Sequence, residues 1–462
     1  MPALRGTLAL SVALFLVTGA RALAQDPASV RTVDEATVVR RALEVSHELR
    51  EADARTRQAS ADTLSAVGDV LPDVEISARY TRLSDVPIDF RRIDLGEPGA
   101  QYELPQLLDQ YALRAALVLP VTDIPFRFVP MLDAASTAER ARRVEQTAVV
   151  RSVVLEARMA YFEWARAVAV AAAFDESIAA LRAQLEHVRR AVVAGTLPRV
   201  DLVSLESQLA SLQQQHLDAL EQAELTQSAL CVRLAWPECE AMTPAEETAQ
   251  TIAHTTISDA IASARAMRPE LTALSLDLAA IGRRRDAAMA SLLPSIAMVG
   301  VLDYAAPHPR AFGRDDLTPL LSWELGAVAS FSTGAAFDAA AELSRLDALQ
   351  AQLEAQRDRW VAEIDESVRG VLISCRRAAE RVELARENVR LAEELAVVRR
   401  AERRAGVSLE AEARQAEAAL LRARREHAEA TLAQRAAHAR LEHATGVPAD
   451  ELAIARRGVV GD

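Results

Sequence analysis

The sequence predicts a mainly α-helical chain with a smaller contribution from paired β-strands, built as two copies of one helix, strand, strand and long helical hairpin unit. Three observations carry this prediction. Half of the 462 residues are hydrophobic but only 4 % are aromatic, with 16 glycines and 18 prolines, while Ala, Leu, Arg and Glu dominate, as in long or coiled helices. Two very long helical stretches are each interrupted by one short glycine break, at Gly195-Thr196-Leu197-Pro198-Arg199-Val200-Asp201 and at Gly406-Val407-Ser408-Leu409-Glu410-Ala411-Glu412. The dipeptide Leu71-Pro72, which opens an alternating segment, returns as Leu293-Pro294 at an offset of 222 residues, against 211 for the two glycines. Matched order at nearly matched spacing marks a duplication.

Residues 1–24 read as a secretory signal peptide: Arg5, the apolar run Leu8 to Val17, then Ala22-Leu23-Ala24 before Gln25. No cysteine follows that site, so a lipid anchor is not expected. The formal charge is −13, and losing Arg5 and Arg21 makes it two units more negative, which argues against nucleic acid as a partner. All 53 basic residues are arginine, for which a GC-rich genome is sufficient explanation. Cys231 and Cys239, eight positions apart around Trp236-Pro237, can close a small loop in an oxidising compartment, and Cys375 is left over in a helical stretch.

Taken in order, Ala36, Val39, Leu43, Leu49, Ala52 and Ala59 recur among charged neighbours and predict one amphipathic helix from Val33 to Val67. Val74, Ile76 and Ala78 then alternate with Glu75, Ser77 and Arg79, a strand with one apolar and one polar face that ends at Tyr80. Residues 83–109 have no period and read as a loop. Leu113, Ala115, Leu117 and Leu119 alternate with Arg114, Ala116 and Val118 before Pro120 ends a second strand. From about Leu132 to Val193 no Gly or Pro occurs, a helix of roughly sixty residues and about 90 Å. The glycine break follows, where a positive φ can close the last turn. The returning helix carries Leu202, Leu205, Leu209, Leu212, Ala219 and Ala223 at coiled-coil spacing. It fades near Leu234, and Trp236 to Gln250 reads as a linker or small flanking element.

The order then repeats. Ser258 to Ala266 is a short helix, and Pro269 opens a longer one to Leu292. Ile296 to Tyr304 is a strand apolar on both faces apart from Asp303. Pro307 to Pro319 is a loop, after which Leu325, Ala327, Ala329 and Phe331 alternate with Glu324, Gly326, Val328 and Ser330. A helix from Ala335 to Ala405 is interrupted only by Gly370, and its partner returns after Gly406 to about Thr445. The chain therefore divides into residues 1–24, a first repeat 25–250 and a second repeat 251–462. In the first, strands lie at about 72–81 and 111–120 and a hairpin at about 132–234; in the second, strands lie at about 295–304 and 322–332 and a hairpin at about 335–445.

Four strands per chain leave solvated edges. Three chains would supply twelve, an even number suited to a closed outer-membrane barrel. The strand length is what a tilted membrane strand needs, and Tyr80, Tyr111, Tyr304 and Trp323 fall at or near strand ends, where a membrane interface favours them.

Over about Val33 to Gly446 these features together resemble the TolC-like outer-membrane efflux protein family, the outer membrane factors; their order and spacing carry the resemblance rather than any single motif. The resemblance implies a homotrimer whose strands close one twelve-stranded barrel in outer-membrane lipid, and whose helices continue as a periplasmic tunnel narrowing at the hairpin tips. It implies a passive exit duct of a tripartite efflux or type I secretion system, opened by a periplasmic adaptor (membrane fusion) protein and an inner-membrane pump of RND or ABC type. Gly195, Thr196, Leu197, Gly406, Val407 and Ser408 would then form the tips that meet the adaptor. Asp201, Glu412 and Gln415 would line the entrance constriction. Asp201 and Glu412 keep the family's acidic position six residues after the glycine; Gln415 stands where the second tip often carries another aspartate, which implies a ring of reduced charge. Ser408 stands where some members have an arginine that locks the closed state. An acid in a helix's first turn also offsets the dipole with no channel involved, so the constriction role rests on the resemblance.

The eight histidines are scattered without metal-ligand spacing, and no phosphate-binding glycine loop, nucleophile elbow or zinc-protease motif occurs. No enzymatic activity and no cofactor are expected. The alternative reading is an exported structural coiled coil of the periplasm or cell surface, which explains the helices but not why both strand pairs alternate at matched positions.

Overall fold

The computed structural model describes residues 31–85, 92–94, 101–103, 107–237, 239, 242–245, 256–310, 318–405 and 410–446. The expected signal peptide, residues 1–24, lies outside them. Strand β1 (Arg31–Val33) leads into helix α1 (Glu35–Val45), and α2 (His47–Val70) follows. The single helix expected from Val33 to Val67 is thus two helices. Asp34 caps α1 by accepting from the Thr37 N–H, and Ser46 breaks the run by accepting from the Leu49 N–H at 3.1 Å. A serine cap stops one helix and starts the next without disturbing the apolar spacing, so periodicity alone does not register it.

Strand β2 (Asp73–Arg82) follows, then the three-residue strands β3 (Arg92–Asp94) and β4 (Gln101–Glu103), which pair with each other inside the segment expected to be loop. Strand β5 (Asp109–Leu119) leads through a π-helical turn at Ile124–Phe128 into α3 (Val129–Val193), and α4 (Arg199–Arg233) returns beside it. Strand β6 (Met242–Pro244) pairs in parallel with β1, giving the Trp236 to Gln250 stretch one ordered contact that three residues are too few to announce. Cys231 and Cys239 are joined in a disulfide that ties the end of α4 to the segment entering β6.

The second repeat runs α5 (Ile257–Met267), α6 (Pro269–Ala290), β7 (Ser295–Ala306), β8 (Leu320–Ser330), α7 (Thr333–Arg404) and α8 (Glu410–Thr445). Its break between α5 and α6 falls at Arg268, and the cap of α5 is Thr256, whose side chain accepts from the Asp259 N–H. Asp34 to Thr256 and Ser46 to Arg268 are each offset by 222 residues, like the two Leu-Pro pairs. Helix caps, breaks and strand starts therefore share one repeat.

The long strands form one antiparallel sheet in the order β2-β5-β7-β8, so the strand pairs of the two repeats meet through β5 and β7. Each hairpin is an antiparallel coiled coil. On α4 the half-buried positions Leu202, Leu205, Leu209, Leu212, His216, Ala219 and Ala223 alternate in threes and fours. The facing helix α3 packs along α4 and buries Ile178, Leu181, Leu185 and Val188. Near the second tip the seam is mostly alanine: Ala392, Ala396, Ala413 and Ala416 are all buried. Each such methyl contributes about 0.8 kcal/mol, against about 1.5–3 for a buried Leu or Val, so this end of the α7–α8 pair is held by less apolar burial per turn.

The helices of both repeats pack together in two cores. One gathers Val38 and Val39 of α1, Tyr161 and Trp164 of α3, Leu230 and Leu234 at the end of α4, and Leu432 of α8. The other gathers Ile261 of α5, Val368 and Leu372 of α7, and Leu441 of α8. Between them runs a buried ionic chain. The Arg158 guanidinium of α3 donates to Glu35 of α1 and to Glu442 of α8, and Arg435 donates to the other Glu35 oxygen at 2.6 Å. His438 lies 3.3 Å from Glu442. The Cys375 sulfur and the Glu442 carboxylate beside it raise the imidazole to about 9, while burial opposes them.

Candidate functional site

Directly paired residues of an antiparallel sheet project to the same face, so the register sorts every side chain of the four strands. One face carries the ladders Val74–Leu117–Gly300–Leu325, Ile76–Ala115–Leu302–Trp323 and Ala78–Leu113–Tyr304–Leu321. It is flanked by Tyr80–Tyr111–Ala306 at the loop end and Leu119–Met298–Ala327 at the helix end. No charge occurs on this face between Tyr80 and Ala329. Beyond Tyr111, Arg82 pairs with Asp109, which also accepts from the Tyr80 hydroxyl at 2.9 Å. The other face carries Glu75, Arg79, Arg114, Asp303 and Glu324, with Arg114 3.9 Å from Asp303.

Large apolar side chains stand exposed on the charge-free face: Ile76 is 71 %, Leu325 66 % and Trp323 72 % exposed. Water does not favour such a surface, and a continuous apolar patch of this kind marks a site that something covers. Tyr80 stacks on Tyr111 with ring centroids 5.1 Å apart. Tyr304 shares their face one ladder further in, and Trp323 shares it at the middle ladder, so of the four aromatics the sequence placed near strand ends three gather towards the loop end of the sheet. Strands of 10 to 12 residues match the length of a tilted membrane strand. Strands β2 and β8 each leave one edge without a neighbour among the described residues. Among the described residues no helix is long and apolar enough to cross a membrane.

The far end of the chain is formed by the hairpin tips. At the first, Gly195 has φ 74°. Its N–H donates to the Val192 carbonyl and the Thr196 N–H to the Ala191 carbonyl, the paired closure that needs a left-handed residue at this position. The Thr196 hydroxyl donates to the same Ala191 oxygen at 2.8 Å. Pro198 then sets extended backbone before α4, in whose first turn Asp201 stands exposed. Leu197 and Val200 are exposed beside it.

At the second tip Gly406, Val407 and Ser408 lie outside the described residues. Gln415 is exposed on α8. Glu412 is half-buried and accepts from Arg399 of α7 at 3.0 Å, and the same Arg399 nitrogen donates to Glu402 at 3.0 Å. The sequence reading identified Glu412 and not its partner. Arg399 and Glu412 are near-mirror positions about the Gly406 break, and antiparallel pairing across a known turn is the signal that could have joined them.

A sequence model described as outer membrane efflux protein matches residues 260–447. No curated protein matches the chain. Solved structures share its fold. A structure of CusC, from work on transmembrane channel formation, has 16 % identity and a TM-score of 0.69, covering 92 % of this chain and 95 % of that one. The outer membrane protein VceC of Vibrio cholerae has 18 % identity and a TM-score of 0.66, covering 89 % and 96 %. The outer membrane channel MtrE of Neisseria gonorrhoeae, solved in an open state, has 17 % identity and a TM-score of 0.67, covering 89 % and 88 %. The second repeat thus matches the outer membrane efflux protein model, and over some nine-tenths of its length the chain shares the fold of solved outer membrane channels.

Proposed function

We propose that three copies of this chain close a twelve-stranded barrel in the outer membrane and continue it as a helical tunnel into the periplasm. The product is a passive exit duct for an efflux or type I secretion system. The observation that carries this reading is the sheet register. Between Tyr80 and Ala329 it keeps one face free of charge and puts Glu75, Arg79, Arg114, Asp303 and Glu324 on the other, which is the outward and inward division of a membrane barrel, and the free edges of β2 and β8 call for closure by neighbours. The outward face meets lipid, the charged face lines the lumen, and the aromatics at the loop end sit at the outer interface.

The helical hairpins reach about 100 Å from the sheet at 1.5 Å per residue, which sets the two tips at the periplasmic entrance. There Asp201, Glu412 and Gln415 form the constriction, and Gly195, Thr196, Leu197, Gly406, Val407 and Ser408 meet a periplasmic adaptor that couples the duct to an inner-membrane pump. The family match and the shared fold support this assembly. The wild-type protein, reconstituted into a planar bilayer, is expected to give discrete channel steps in KCl. Absence of any conductance from protein that fractionates with the outer membrane would overturn the duct reading.

A further inference from the structure

We infer that Arg399 sets the charge of the proposed entrance by neutralising Glu412, which leaves Asp201 as the acid that acts on passing ions; this rests on the duct reading above. The two tips are alike in sequence, each with an acid six residues after its glycine, yet the chain treats the two acids differently. Asp201 is exposed and makes no ion pair among the described residues. Glu412 is tied across the hairpin to Arg399 at 3.0 Å. An Arg in contact with a carboxylate cancels most of its field at the distance of an ion in a water-filled constriction, because the pair is seen as a dipole rather than a charge.

The surroundings point the same way. Arg399 is shared with Glu402, and Arg400 lies 3.7 Å from Glu417, so the tip is laced by arginines from α7. Between 399 and 417 the chain carries five arginines against four glutamates. The alanine seam beneath, Ala396 against Ala413 and Ala416, lets the two backbones approach closely enough for a side chain of α7 to reach the first turn of α8. In a threefold assembly the contact is repeated three times, so every Glu412 carboxylate of the ring stands against an Arg399 guanidinium rather than facing ions unpaired.

A double-mutant cycle read by ion block tests this. Full-length protein and its variants are reconstituted in planar bilayers, and the Mg2+ concentration that halves the KCl current is measured. Arg399→Gln exposes Glu412 and is expected to lower the half-blocking concentration about threefold or more, as unpaired acidic rings hold divalent cations. Arg399→Lys, which keeps the charge, keeps the wild-type value, and this separates loss of charge from disruption of the hairpin. Adding Glu412→Gln to Arg399→Gln reverses the gain. Asp201→Asn raises the half-blocking concentration in every background. A conducting wild type in which Arg399→Gln leaves the block unchanged, or in which Arg399→Gln/Glu412→Gln differs from wild type as much as Glu412→Gln does, overturns this inference alone. A wild type that does not conduct overturns the duct reading and this inference with it.

Discussion

The Arg158 guanidinium on α3 and the Glu35 carboxylate on α1 meet in the buried junction between the two helical repeats, with side chains 8 % and 9 % exposed. Glu35 sits between two arginines, Arg158 and Arg435, and Arg158 between two carboxylates, Glu35 and Glu442. The chain of charges thereby joins the first helix of the first repeat to the last helix of the second. A buried pair of this kind adds little over a well-packed apolar substitute, but breaking it leaves an uncompensated buried charge.

Glu35→Ala should therefore destabilise the protein by about 3–5 kcal/mol. Thermal unfolding of the detergent-solubilised protein checks this, with Glu44→Ala on the exposed face of the same helix as control. A shift no larger than the control's would show that the cluster is not holding the repeats together.

The same cluster predicts a pH window. His438 is raised from 6.5 to about 9 by Cys375 and Glu442, so its contribution is complete below pH 6.5 and is lost as pH rises through about 9. Glu442 is held below its ordinary 4.5, against burial, by His438 and Arg158, so its contribution is complete above pH 4.5 and is lost as pH falls through its lowered value. Stability should be greatest at mildly acidic pH and decline on the alkaline side by on the order of 1 kcal/mol after screening by solvent. Melting curves across pH 5 to 10 check this, and His438→Gln should flatten the alkaline limb.

The barrel reading predicts opposite outcomes for two arginines placed in the same sheet. Leu117→Arg puts a charge on the apolar face of β5, which in lipid costs up to about 2–4 kcal/mol; it should cut the yield of heat-modifiable trimer in outer-membrane fractions. Ser322→Arg falls opposite Asp303 on the other face and should be tolerated. Equal yields of the two variants would mean that the charge-free face does not meet lipid.

The Cys231–Cys239 disulfide closes a loop of sequence separation 8, for which chain entropy gives about 2.5 kcal/mol. A Cys231→Ser/Cys239→Ser variant should be less stable by that amount and melt at a lower temperature, and reductant should shift the wild type but not the variant. Equal melting of wild type and variant would make the bond dispensable.

Much of the fold was legible because its signals are long. Period two over Val74 to Ala78, coiled-coil spacing from Leu202 to Ala223 and the recurring Leu-Pro each involve many residues that must agree. What was not legible depends on single contacts or on pairings across the chain. The Ser46 break is one hydrogen bond, β1 and β6 are three residues each, and the Arg158–Glu35 cluster joins positions 123 residues apart. At the tips the sequence marks Asp201 and Glu412 as equivalents, since spacing from a glycine is all it records. That Arg399 reaches Glu412 follows only once α7 and α8 are placed side by side. The two faces of β7 are a similar case: Val299, Val301 and Ile296 look alike in sequence, and only the register with β5 and β8 assigns Ile296 to the apolar ladder and Val301 to the face with Glu75 and Glu324.

The proposed barrel takes one third of its strands from each chain. Its most direct test is the mass of the protein particle extracted from outer membranes in detergent, measured by light scattering with the detergent contribution subtracted. Three chains per particle are expected, each of at most the full-length 50.0 kDa. A protein recovered without detergent as a single chain of that mass would contradict it.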